Sequence, residues 1–507
     1  MQPGSNGIPI SPALSRALWL SAIVAGVAWY GWFRLLEPLR HEPFRSAQLH
    51  GNDFKHIYLG SWMLTRGQDP YDAEALLRVA RGRGLGSVNP YVYLPFTGLV
   101  LSPLTFLDPP DAFRAWFLLN HLFLVIALAL MFWSLRLRPD LPDLAFAVLT
   151  AALCYPLHRT LTAGQLNCAL LLLFALVFAL ERRGWFIAAG GAAAFAFLFK
   201  LTPGVLFLYF LWGAVLGRGE ARAGRWRALA TMAFFSLLLM GVAVVWVGVD
   251  RHLAFRPVLA QMNYGRTTWA EYGQQYYRDA ANQSLNSFFH HVVAAGGGTA
   301  PWIPLGVGWA NGLTRLAFLI CVGLVAWRLL SDGVIVQSPS TGADAQGDAD
   351  SMPYALFILL SLLAPSIYWD HYAVIALWPL LACWSRLPRE ARPAALVLEA
   401  ALALLLGSFL EVAVWLATLF LIAALFAVGH LCVRRRSWGW RPLFWALAAA
   451  MLLARFPFDF PAFRHGVGLL AMSLKLWGTL ALFGLALAMA GERTRNSRPD
   501  ATVPQES

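Results

Sequence analysis

Asp53-Phe54-Lys55-His56 places a carboxylate, an amine and an imidazole within four residues, just after the first long apolar stretch of the chain. A carboxylate there can act as a general base, taking the proton of an attacking hydroxyl within hydrogen-bond reach. It can also cap a helix whose body starts at Phe54, where a negative charge suits the positive end of the helix dipole. Capping is the commoner use of an Asp so placed. Lys200 ends another apolar run and is followed by Leu201-Thr202-Pro203. A cation at a break between two short helices can hold a lipid-borne phosphate, or simply extend to the headgroups. Gln165 and Asn167, in Gly164-Gln165-Leu166-Asn167, have the donors and acceptors to bind sugar hydroxyls, and they also read as an ordinary polar helix start. His371, in Tyr368-Trp369-Asp370-His371-Tyr372, is a further candidate for a phosphate or sugar, in a stretch that equally resembles an interfacial aromatic belt.

The elements that must position these groups are membrane helices. The 507-residue chain is 59% hydrophobic and 13% charged, with 22 Trp and 34 Phe, and its apolar blocks are of bilayer-spanning length. No alternation of the barrel kind is present. The net charge of +12 sits in arginines between apolar runs, which points to membrane orientation and anionic lipids rather than nucleic acid. Five cysteines (Cys154, Cys168, Cys321, Cys383, Cys432) lie in or beside apolar segments without a CxxC, so neither a disulfide framework nor a zinc site follows. The first run, Ala13 to Leu36, lacks a small-residue cleavage site and reads as a retained anchor.

Apolar spans are expected near 112–135, 142–158, 165–181, 185–200, 202–217, 227–249, 302–330, 353–368, 370–385, 394–410, 411–433, 442–456 and 465–490. Two long polar loops, about 37–90 and 250–301, interrupt them. Arg182-Arg183, the Arg218 to Arg227 cluster, Arg386 to Arg392, Arg434-Arg435-Arg436 and Arg493 to Arg498 share one side if the spans alternate, and that side should be the cytoplasm. Asp53, Lys200, His371 and both polar loops then share the opposite face, provided the proline-broken run 91–107 does not cross. The organisation expected is an N-terminal catalytic transmembrane module over 1–330, a flexible cytoplasmic linker over 331–352, a C-terminal transmembrane module over 353–491 and a cytoplasmic tail over 492–507.

No P-loop, GxGxxG, GxSxG or HExxH stands in a suitable context, and no polar stretch is long enough for a nucleotide-binding fold. His290-His291 has no ligand spacing with other residues, so no metal and no cofactor is expected.

Taken in order, Asp53-Phe54-Lys55-His56-Ile57-Tyr58, Gly67-Gln68-Asp69-Pro70-Tyr71, Tyr91-Val92-Tyr93-Leu94-Pro95, Pro103-Leu104, Trp116 and Asn120 form a pattern. It continues through Gly164-Gln165-Leu166-Asn167, Arg182-Arg183-Gly184, Ala189-Gly190 and Phe199-Lys200-Leu201-Thr202-Pro203. This pattern resembles the glycosyltransferase family 87 proteins, which include polyprenyl-phosphate-mannose-dependent α-mannosyltransferases, over roughly residues 50–215 and more loosely through His371. The resemblance implies an all-α polytopic membrane protein with the C-type glycosyltransferase fold and about 12–14 transmembrane helices, its site formed by the two extracytoplasmic loops. It implies metal-independent inverting transfer in which Asp53 is the base, Lys200 contacts the donor phosphate, and Gln165, Asn167 and His371 contact the donor. Lys55 and His56 stand where that family often has apolar or small residues, and are carried as further donor-phosphate or sugar contacts.

The expected protein is therefore a bacterial inner-membrane, multi-pass hexosyltransferase with an extracytoplasmic site. It would move a sugar, mannose by the resemblance, from a polyprenyl-phosphate donor to a glycan or glycolipid acceptor. Tyr264, Trp269, Tyr272, Tyr276 and Tyr277 suit sugar stacking or anchoring at the membrane surface. A transporter or flippase of lipid-linked sugars is the alternative from another class, with Glu399, Glu411 and Lys475 as its few ionisable residues within spans. A non-catalytic envelope-assembly subunit is a third.

Overall fold

The computed structural model describes residues 12–44, 50–266, 268–269, 274–279, 282–294, 301, 303–331, 351–386 and 473–490. Among the described residues the chain is helical apart from loops, one antiparallel pair of two-residue strands (Thr268–Trp269 with Gln274–Gln275) and an isolated bridge between Asn282 and Trp369. Trp19–Arg40, Pro109–Ser134, Gly219–Val247 and Val307–Leu330 are long and apolar enough to cross a membrane, and the bent pair Leu141–Ala152 and Tyr155–Ala163 makes a fifth if it is one span. Their outward faces carry large apolar side chains such as Leu237, Val245 and Leu319, which water would not tolerate in such numbers. This is a multi-pass helical membrane protein. The expected spans 394–410, 411–433 and 442–456 lie outside the described residues, as do most of the linker, the tail, Cys432, Glu399 and Glu411.

At the centre is the helix Asn167–Arg182, buried nearly all round and packed on Pro109–Ser134 and Phe186–Phe199. Phe186–Phe199 packs in turn on the long helix Gly219–Val247. The closeness of that contact is set by Gly190, where a Cβ would meet the Ala228 carbonyl oxygen at 2.3 Å. Ser351–Leu363 and Leu474–Ala490, from beyond the linker, pack on each other; Ser351–Leu363 also packs on Val205–Leu216, and the Tyr354 hydroxyl donates to the Phe174 carbonyl at 2.8 Å.

Several expected boundaries move. The apolar run 142–158 is no straight helix: Leu141–Leu153 stops, Cys154 takes an extended conformation, and Tyr155–Ala163 restarts with Pro156 in its first turn. The stretch 370–385 begins as a 3-10 turn, Asp370–Ala376, before the helix Leu377–Arg386. The arginines 222, 225 and 227, expected in a connection, lie inside Gly219–Val247 because Arg225 is drawn into a buried ion pair. The run 91–107 folds as Pro95–Leu101 and a 3-10 turn, Ser102–Phe106. At ~1.5 Å per residue that reaches less than about two thirds of a bilayer core. Its Phe106 is exposed, and Pro95–Leu101 packs against the helix bearing Asp53.

Candidate active site

Asp53 lies on the helix Asn52–Leu64, whose N-cap is Gly51 at φ 74°. Only glycine enters this turn easily: a Cβ at Gly51 would sit 2.5 Å from a Phe44 ring carbon, and the Gly51 amide donates to the Thr162 carbonyl at 2.7 Å. A second left-handed glycine, Gly164 at φ 75°, packs against Phe54, where a Cβ would approach the Phe54 Cβ to 2.6 Å. These two turns clamp the start of the Asp53 helix against the start of Asn167–Arg182. Trp116 reinforces the clamp by donating its indole N–H to the Gly164 carbonyl at 3.0 Å.

Because Gly51 is the cap, Asp53 is the second helical residue and not the capping side chain. Its half-buried carboxylate accepts from Asn89 Nδ2 at 3.2 Å. His56, three residues on, shares the face of Asp53. Its ring stacks on Tyr93 at 5.8 Å with an 11° interplanar angle, and the Tyr93 hydroxyl donates to Gln165 Oε1 at 3.2 Å. Burial pushes the His56 imidazole down to about 4, against the opposing pull of Asp53, so the ring is neutral at physiological pH.

Lys200 stands outside both flanking helices, in an extended conformation at the break between Phe186–Phe199 and the turn Thr202–Gly204. Thr97 holds the end of the first helix by donating to the Phe199 carbonyl at 2.9 Å. The Lys200 ammonium donates to Asn167 Oδ1 at 3.0 Å and sits 3.7 Å from the centre of the Tyr372 ring. Burial pushes it down to about 7, with the Asp53 carboxylate partly opposing the shift. Asn167 Nδ2 donates to the His371 carbonyl at 3.1 Å, and Thr160 Oγ1 donates to the same oxygen at 2.9 Å. The buried His371 ring has Nδ1 3.4 Å from Asp370 Oδ1, and neither ring nitrogen makes a hydrogen bond.

Six of the seven residues singled out in the sequence are thus joined. Asp53 and His56 share a helix face, Gln165 reaches His56 through Tyr93, and Asn167 links Lys200 to His371. Asp53, Lys200 and His371 all act electrostatically on His56. Lys55 is placed elsewhere: it points off that face, with its amine 3.4 Å from the Ser87 carbonyl and 5.9 Å from the Phe44 ring centre. Asn89, Tyr93, Thr160 and Tyr372 complete the cluster and were not identified from sequence. Tyr91-Val92-Tyr93 in the family-like motif, and Tyr372 beside His371, were the available signals. Of the second-loop aromatics, Tyr276 packs edge-on against Trp369, Tyr277 against His290, and the Tyr264 hydroxyl donates to the Ala364 carbonyl at 2.6 Å. They brace the loop instead of offering open stacking faces.

An apolar cleft of about 370 Å³ lies between Val205–Leu216, Val307–Ser331 and Ser351–Leu363, lined by Val205, Leu208, Trp212, Phe318 and Phe357 among others. Among the described residues, no group of three or more His, Cys, Asp or Glu is placed to hold a metal.

Comparison with known proteins adds an independent line. Residues 91–343 match the family model of glycosyltransferase family 87, a region that contains Gln165, Asn167 and Lys200 and excludes Asp53 and His371. The chain is 26% identical over 254 residues to a polyprenol-phosphate-mannose-dependent alpha-(1-2)-phosphatidylinositol mannoside mannosyltransferase of Mycolicibacterium smegmatis, covering 48% of this chain and 52% of that protein. It is 29% identical over 247 residues to the protein of the same description from Mycobacterium tuberculosis, covering 46% and 52%. The chain thus spans about half the length of the curated relatives it matches. No solved structure matches it significantly.

Proposed function

We propose, taking residues 91–343 as a glycosyltransferase family 87 region, that the protein transfers a sugar from a polyprenyl-phosphate donor to a lipid-linked or glycolipid acceptor. The relatives' dependence on polyprenol-phosphate-mannose supports mannose as the sugar, and their phosphatidylinositol mannoside acceptor supports a glycolipid as the acceptor class. The observation that carries the reading is the Asp53–His56–Lys200–His371 cluster, which sets a carboxylate against a cation and an unbonded imidazole.

In this mechanism the acceptor hydroxyl attacks the anomeric carbon from the Asp53 side, and Asp53 takes its proton. The bond from the anomeric carbon to the phosphate oxygen breaks, and the polyprenyl phosphate leaves with one more negative charge than the donor phosphodiester carried. Lys200 faces that growing charge, which makes its contact stronger in the transition state than in the bound donor. Asn89 orients the carboxylate. Neutral His56 and Gln165 supply hydrogen bonds for the sugar without competing for the phosphate. The apolar cleft lined by Val205, five residues after Lys200, suits the isoprenoid chain. Inversion at the anomeric carbon follows from a single displacement, and the active face is extracytoplasmic by the arginine distribution.

The test is transfer by the purified full-length protein in nanodiscs, supplied with radiolabelled polyprenyl-phosphate-mannose or with GDP-mannose. Label should enter lipid only from the polyprenyl donor, with release of polyprenyl phosphate. Transfer from GDP-mannose alone would refute the reading, and transfer from a different polyprenyl-phosphate sugar would keep the class and remove mannose.

A further inference from the structure

Behind His371 lies a second collection of cationic and imidazole groups that the proposed transfer does not use. Arg159, on Tyr155–Ala163, has Nε 3.6 Å from Asp370 Oδ2. Asp370 is already shared: its Oδ1 accepts from the His371 backbone N–H at 2.8 Å and lies 3.4 Å from the His371 ring. His158, next to Arg159 on the same helix, has its Nδ1 buried without a hydrogen bond, and the Gly51 amide on the Thr162 carbonyl ties the segment of His50 to that helix. His50 is 4% exposed, and its Nδ1 is likewise buried and unbonded. Its ring packs 5.0 Å from that of His41, which is held by Glu37 at 2.6 Å. Arg159 keeps about a fifth of its side chain exposed, so the cluster opens to the outside.

Burying the His50 and His158 Nδ1 atoms without a partner is costly, and an anion accepting from them in their Nδ1–H tautomer removes the cost. A guanidinium fork beside imidazole N–H donors matches the tetrahedral oxygens of a phosphate. The location fixes the source. Arg34 and His41 belong to the end of the first span, where Arg40 lies 4.5 Å from the Trp32 ring centre and Trp29 and Trp32 face outward. Tryptophan and arginine at a span end mark headgroup level.

We propose that Arg159, His158 and His50 form a second phosphate site, separate from Lys200, which takes the phosphodiester of an anionic membrane phospholipid. Asp53 acts electrostatically on both Arg159 and Lys200. The donor phosphate occupies the Lys200 side, and the lipid of the acceptor occupies the Arg159 side. Only this last assignment rests on the transferase reading.

Binding is measured without turnover, by native mass spectrometry of the full-length protein with phosphatidylglycerol, so a protein that transfers no sugar still tests the site. R159Q should weaken retention of phosphatidylglycerol by about tenfold or more, as expected for a lost charge-assisted contact, and R159K by less. H158Q leaves the Arg159–Asp370 pair intact and should weaken retention several-fold, which guards against a folding defect in R159Q. K200Q should change retention by less than about twofold, because its cation belongs to the other site. Wild-type retention by both R159Q and H158Q would overturn the proposal. Equal losses in R159Q and K200Q would overturn it by showing one anion site, not two. Binding of inorganic phosphate alone, equally sensitive to R159Q, with phosphatidylglycerol held no better than phosphatidylcholine, would overturn the headgroup assignment in favour of the free anion.

Discussion

The helix Asn167–Arg182 carries a polar group at each end, roughly 21 Å apart at the helical rise, and the two ends are treated differently. At one end Glu181 is fully occupied: Arg225 Nε donates to Oε1 at 2.7 Å, the Tyr209 hydroxyl donates to Oε2 at 2.7 Å, and Arg225 donates to that hydroxyl at 3.2 Å. All three side chains are buried. At the other end Asn167 joins Lys200 to the His371 segment, while the His371 ring nitrogens make no hydrogen bond and Asp53 has one amide contact. A buried charge whose bonding capacity is saturated by its neighbours pins helices together. Charges held in place with capacity to spare are prepared for something that arrives later. The same helix thus separates a structural device from a candidate catalytic one.

That contrast can be broken at either end. The largest effect is expected from Asp53→Asn, which should lower the transfer rate by about 10²–10⁴-fold, as for loss of a general base, with the thermal midpoint unchanged. A variant that retains full transfer would return Asp53 to a purely structural role. At the other end, Arg225→Ala strands Glu181 in an apolar bundle and should cost about 3–5 kcal/mol of stability, read as a lowered unfolding midpoint in detergent. An unchanged midpoint would mean the triad does not hold the helices. Lys200→Gln should lower kcat as well as raise the donor KM, for a loss of about 10–100-fold in kcat/KM with little change in stability, since it removes a charge-assisted phosphate contact that strengthens in the transition state.

The wild type carries a pH signature from the same residue. Burial lowers the Lys200 ammonium to about 7, so the charged form that binds phosphate is lost as pH rises through neutrality. Donor KM should therefore rise between pH 6 and 8, approaching tenfold per unit at the alkaline end, and Lys200→Arg should flatten the rise. Asn89→Ala is the mildest change expected, a few-fold loss of rate with an unchanged donor KM, because it frees the Asp53 carboxylate to rotate without removing it.

Much of this was legible in the chain. The long spans follow from apolar length, and the break at Lys200 follows from Thr202-Pro203. Asp53, His56, Gln165, Asn167, Lys200 and His371 were singled out by residue type and motif order. What was not legible depends on three-dimensional closure. The break at Cys154 is hidden by its apolar neighbours, although Pro156 is a helix-start signal. Arg225 read as a connecting, orienting arginine, because charge alone does not say whether a Glu waits 44 residues away in sequence. Lys55 reads together with His56 by adjacency in sequence, yet adjacency says little about facing: two helical steps of about 200° turn its amine away from Asp53. Asn89 and Thr160 lack any chemical flag of their own; they matter only because the folds at Gly51 and Gly164 bring their segments to the site.

Whether Asp53, Lys200 and His371 serve one donor is decided by a cryo-electron microscopy structure of the Asp53→Asn protein with polyprenyl-phosphate-mannose bound. The donor phosphate should lie within hydrogen-bond distance of Lys200 Nζ and a His371 ring nitrogen, the sugar toward residue 53, and the isoprenoid chain in the cleft lined by Val205. A donor phosphate bound away from Lys200, or a sugar facing away from residue 53, would contradict that shared role.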